Sequence, residues 1–103
     1  MVFAEATDER SLSAFENDSE AIAYCEGIDV TEGSWLFWDD SGNPLEPVFF
    51  TAIGGGKYTL QRSTSMRYVH LMEALDSIRT FDAGAPFDCK EGVRAHISQS
   101  API

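Results

Sequence analysis

The feature that most constrains this chain is a series of apolar runs, each closed by residues that turn a backbone. Trp35-Leu36-Phe37-Trp38 is bounded by Gly33 and by Asp39-Asp40-Ser41-Gly42-Asn43, a cluster of turn formers. A second run, Pro47-Val48-Phe49-Phe50-Thr51-Ala52-Ile53, follows Pro44-Leu45. Neither proline has an N–H to give to a ladder, so this run starts irregularly or lies at a sheet edge. Gly54-Gly55-Gly56 then turns the chain, and Lys57-Tyr58-Thr59-Leu60-Gln61-Arg62 alternates as a third strand. The three runs predict an antiparallel meander.

Two helices are expected to pack on it. Asp18 or Ser19 caps the first, over Ser19–Glu26, and Gly27 stops it. Ser63, Thr64 or Ser65 caps the second, which presents Tyr68, Leu71, Leu75 and Ile78 at three- and four-residue spacing, widened by Met72. Val2-Phe3-Ala4 suits a short strand, Ser11–Phe15 is ambiguous, and Val93–Ser98 suits an edge strand or a short helix. The expected fold is α+β, an antiparallel sheet of three to five strands with two helices packed on one face. Its 103 residues make one domain spanning 1–103.

Apolar residues make up 44% of the chain and charged residues 23%, which excludes a disordered chain. No apolar run approaches the ~20 residues of a membrane-spanning helix. The first ten residues lack the basic and apolar regions of an export signal, so a cytoplasmic protein without membrane contact is expected. In that reducing setting Cys25 and Cys89 are expected as free thiols, and the sequon Asn17-Asp18-Ser19 is without consequence.

Charge is distributed unevenly. The net charge is −10, yet Met1–Gly56 holds twelve acidic residues and one basic residue, Arg10, while Lys57–Ile103 holds five acidic and six basic. Crowding of one sign speeds association with a partner of the other sign, and it also serves plain solubility. Seven Lys and Arg are too few for a primary nucleic-acid binder, whose affinity comes from phosphate contacts. An acidic face that mimics nucleic acid in a basic cleft is the opposite case, and it fits.

Several chemical motifs fail their own requirements. A phosphate loop ending at Gly56-Lys57 needs glycine where Thr51 stands and serine or threonine where Tyr58 stands. A calcium loop starting at Asp39 needs glycine at Pro44 and glutamate at Phe50. Cys25, Cys89, His70 and His96 include no closely spaced ligand pair, so neither metal nor cofactor is expected. His70 sits beside the second helix's apolar stripe, where a structural role is expected.

The acids that flank the Trp-rich run are the candidate partner-binding residues: Asp29, Glu32, Asp39, Asp40 and Glu46. Trp38 joins them as an aromatic anchor, with Trp35 as the alternative, because interface centres favour aromatics and acidic surroundings give steering. Alternation puts Trp35 and Phe37 on one face and Leu36 and Trp38 on the other, and one pair is core.

From Ser19 to Phe49 the chain resembles one group of small bacterial immunity proteins, which neutralise toxins of contact-dependent growth inhibition and related polymorphic systems. The resemblance is carried by Glu20-Ala21-Ile22, by Tyr24-Cys25-Glu26-Gly27-Ile28-Asp29-Val30, and by Trp35-Leu36-Phe37-Trp38-Asp39 with Gly42 and Pro44-Leu45. It covers about a third of the chain and implies a role, not a site. That role is a non-catalytic cytoplasmic protein that binds a cognate toxin domain with a basic surface, often a nuclease. Two alternatives stand beside it. One is a small enzyme or ligand-binding domain using Cys25, His70 or His96; the other is an adaptor pairing through an exposed sheet edge.

Overall fold

In the computed structural model, which describes residues 1–50 and 57–100, the chain begins with a strand that becomes the middle of its sheet. β1 (Val2–Ala6) pairs antiparallel with β2 (Ser11–Phe15) on one side and with β3 (Trp35–Trp38) on the other. β4 (Pro44–Phe49) and β5 (Tyr58–Arg62) extend the antiparallel ladder beyond β3. At the far edge, β6 (Thr80–Phe81) runs parallel to β2. The sheet thus has six strands in the order β5-β4-β3-β1-β2-β6 and is mixed, not the purely antiparallel sheet of three to five strands expected. Thr51–Ile53 of the expected second strand, and the expected Gly54–Gly56 turn, lie outside the described residues.

Helices cover both faces of the sheet rather than one. On the first face, α1 (Asp18–Tyr24) and α2 (Gly27–Thr31) bring Ala21, Cys25 and Val30 against Val2, Ala4, Phe37, Tyr58 and Leu60. α1 touches both β2 and β5, near opposite edges, so the sheet curls around it. On the second face, α3 (Leu71–Ala74), a 3-10 turn (Leu75–Ser77) and α4 (Lys90–Ser100) pack on Phe3, Leu12 and Trp38. The cause is the run Trp35-Leu36-Phe37-Trp38 itself. It is apolar at every position, so both sides of β3 need cover. Trp35 and Phe37 join the first cluster, and Leu36 and Trp38 the second.

Local chemistry explains where the helices differ from expectation. Asn17, one residue earlier than foreseen, caps α1 by accepting from the Glu20 amide at 2.9 Å, while the Glu20 carboxylate accepts from the Glu16 amide. The second helix is far shorter than its apolar spacing predicts. The Ser63 hydroxyl accepts from the Ser65 amide and the Ser65 hydroxyl from the Arg67 amide, which holds this stretch in turns instead of a helix. The cap is His70, whose Nδ1 accepts from the Met72 amide at 3.1 Å, a structural role as expected. Leu71, Leu75 and Ile78 still face the core, but Tyr68 lies outside the helix. Val93–Ser98, open between strand and helix, is helical within α4.

Glu5 is an anomaly in this core. It lies on β1 between Leu12 and Leu36, 5% exposed, and burial raises its carboxyl above the usual range although Arg10 pulls the other way. A raised folded pKa stabilises below the ordinary value of 4.5, and that stability is lost as pH rises through the folded value. Glu5→Gln is therefore expected to gain stability on the order of 1 kcal/mol at pH 7. The gain should vanish near pH 3, as urea unfolding at both pH values checks.

Candidate acidic and aromatic interface

The six residues expected to form one binding face are dispersed by the fold. Asp29 and Glu32 lie in and just after α2, at the Trp35 end of β3. Asp39 and Asp40 lie at its other end, about 13 Å away at the rise of a four-residue strand. Glu46 lies on β4 and accepts from the Ser63 hydroxyl at 3.4 Å. Trp38 is 2% exposed, and its indole N–H donates to the Val69 carbonyl at 2.9 Å. A side chain so enclosed cannot anchor a partner, so Trp38 is corrected to a core residue.

Asp39 and Asp40 are committed inside the molecule. Asp39 Oδ1 accepts from the amides of Ser41 and Asn43, both at 2.9 Å, and Oδ2 pairs with Arg62 at 3.2 Å. These bonds form the turn that its residues predict, with Gly42 at φ 82°. A Cβ there would sit 2.5 Å from the His70 ring, so glycine is required twice over. Asp40 accepts from His96 Nε2 at 2.8 Å and from the Met1 amino group at 3.1 Å. Burial raises the Asp40 carboxyl, but these two partners outweigh it and hold it below the usual range.

The thiol and imidazole groups do not converge. Cys25 is buried on the first face of the sheet, where burial, with the Asp29 charge beside it, pushes the thiol up to about 12. Such a thiol is inert as a nucleophile near neutrality. His96 sits on the second face, edge-on to Phe3 and Phe87, and His70 is spent as a cap. Both cysteines are free, as expected. Among the described residues no three His, Cys, Asp or Glu side chains are placed to hold a metal ion. Among the same residues no helix is long and apolar enough to cross a membrane.

What the fold does assemble is an aromatic cluster on the α1 side. Tyr24 is 61% exposed, yet its ring is held between Phe15 at 5.4 Å and Trp35 at 5.9 Å, the latter edge-on. Phe15 and Trp35 pack down on the first core cluster. Glu20 lies one turn before Tyr24 on the same helix face, and Glu16, Asp18, Glu26, Asp29 and Glu32 lie along and beside the two helices. None of these six carboxylates has a salt-bridge partner among the described residues. Ser11 to Gly56 contains no Lys, Arg or His. Tyr24 and Phe15 escape a reading confined to the Trp-rich run, because their contact joins β2 to α1 across a turn.

Comparison with protein-family models, with curated proteins and with solved structures finds no significant match to this chain. The fold defines a class, an α+β domain with helices on both faces of a mixed sheet, its acidic residues concentrated in the first half of the chain.

Proposed function

We propose that this chain is an immunity protein, a non-catalytic cytoplasmic binder that neutralises a cognate toxin domain with a basic surface. The toxin activity that best suits an acidic partner is that of a nuclease, whose substrate groove is basic. Tyr24 carries the proposal. It is a large ring exposed to solvent and held by two neighbours, and the six carboxylates along and beside α1 and α2 have no salt-bridge partner among the described residues. A ring immobilised before binding loses little entropy in the complex, which is the property of an interface anchor. The surrounding charge steers the encounter. Asp29 and Glu32 belong to this face, whereas Asp39, Asp40 and Glu46 are held elsewhere.

The test mixes the protein with the toxin domain encoded beside it. A one-to-one complex is expected, with association slowing about tenfold or more from low to high salt. Tyr24→Ala should weaken it at least tenfold through faster dissociation. Glu20→Gln with Glu26→Gln and Glu32→Gln should slow association and leave dissociation nearly unchanged. Association rates that ignore ionic strength would remove the steering, and a Tyr24→Ala variant that binds normally would remove the anchor.

A further inference from the structure

A separate cleft opens on the other side of the molecule, where α3 lies. Its volume is about 250 Å³. Leu36, Trp38 and Pro44 line it from the sheet, Ala74 from α3, and Arg67–Val69 from the stretch before that helix. This lining stretch is held in place. It is tied to the sheet by the Trp38 indole bond to the Val69 carbonyl and braced by the Ser63 and Ser65 hydroxyl turns.

Among the residues that line the cleft Arg67 alone is charged. Lys57 to Met72 contains three basic residues and no acid, and Arg62 is already spent on Asp39. Arg67 is exposed, its guanidinium 5.5 Å over the Tyr68 ring. Among the described residues neither that guanidinium nor the Tyr68 hydroxyl has a hydrogen-bond partner. Apolar walls beside two donors that have no hydrogen-bond partner among the described residues are the arrangement that orients a ligand with an apolar body and an anionic head. The indole N–H does not compete, because Val69 already satisfies it.

We propose that this cleft binds a small organic carboxylate with an aromatic or branched aliphatic body. The carboxylate sits on Arg67 and the Tyr68 hydroxyl, and the body lies against Leu36, Trp38 and Pro44. Ala74 sets the length of the body that fits. Because the cleft and the Tyr24 cluster lie on opposite faces of the sheet, occupancy of one leaves the other open.

Titration of the ¹⁵N-labelled full chain with phenylacetate tests this by NMR. Saturable shifts are expected at Arg67, Tyr68, Val69, Ala74 and the Trp38 indole, and none at Tyr24. Phenylacetamide, which lacks the charge, should bind about tenfold more weakly, as should phenylacetate to Arg67→Gln. Ala74→Met should block the cleft and abolish the shifts, while its remaining spectrum reports that the chain is folded. Equal affinity for acid and amide, or shifts that persist in Ala74→Met, would overturn the proposal. So would binding of a Gly-Gly-Phe peptide with none of phenylacetate, since the site would then recognise a chain terminus.

Discussion

Trp38→Ala is expected to lower stability by about 3–5 kcal/mol, a large part of the ~5–15 kcal/mol that holds a domain of this kind together. Three losses coincide at this position. The ring is 2% exposed and packs among Phe3, Leu71, Leu75, Val93 and Ile97 on the second face, so its removal leaves a cavity. The Val69 carbonyl loses its donor, and the stretch from Arg67 to Val69 loses its tie to the sheet. Trp38→Phe separates these effects. It keeps most of the packing and loses the hydrogen bond, for about 1 kcal/mol. Urea unfolding measures both, and a Trp38→Ala variant within 1 kcal/mol of the parent would show that the indole does not join sheet and helices.

The second large effect is expected at Gly92 in α4. A Cβ there would stand 1.6 Å from the Pro86 backbone oxygen and 2.7 Å from its carbonyl carbon, so it meets main chain, which cannot rotate aside. Gly92→Ala usually gains helix propensity, about 1 kcal/mol. Here the sign should reverse, with a loss of about 2–3 kcal/mol as α4 is pushed off the segment before it. Gly84→Ala is the control, because nothing lies within 4 Å of the added methyl group. A Gly92→Ala variant more stable than the parent would mean that Pro86 does not rest on the helix.

Which parts of this architecture the residues disclose follows from the range of the forces involved. The β3–β4 turn was legible because Asp39, Gly42 and Asn43 act on their own backbone. The core stripe Leu71, Leu75 and Ile78 was legible as spacing, but the helix carrying it was overestimated. Hydroxyl turns at Ser63 and Ser65 compete locally, and Val69 is claimed by a tryptophan thirty-one positions earlier. The parallel β2–β6 pairing left no mark in either segment, since a two-residue strand has no period to read. Helices on both faces were foreshadowed by the uninterrupted apolar run of β3, which a one-sided sheet would have alternated.

The candidate interface divides in the same way. Composition located the acidity in the first half, and Asp29 and Glu32 remain on the exposed helical side. Asp39 and Asp40 looked equivalent to them, and only tertiary structure reveals their partners: Arg62, His96 and the Met1 amine are all distant in the chain. Trp38 and Trp35 were interchangeable until the sheet had a second layer to bury one of them.

The position of β1 makes closure of the sheet depend on distant pairings. β1 is the spine of the sheet, with β2 on one side and β3 on the other, and β2 waits for β6, which lies about seventy residues further along the chain. Before Thr80 and Phe81 have been synthesised, β2 has an open edge and Phe3 and Leu12 lack α4, whose Val93 and Ile97 complete their cover. Pairings this distant make closure slow relative to a helical bundle of equal length. Residues 1–56 carry twelve acidic residues and one basic residue, and mutual repulsion of this kind opposes association between incompletely folded chains. The acidity of this half thus disfavours pairing between open β2 edges until β6 and α4 are in place.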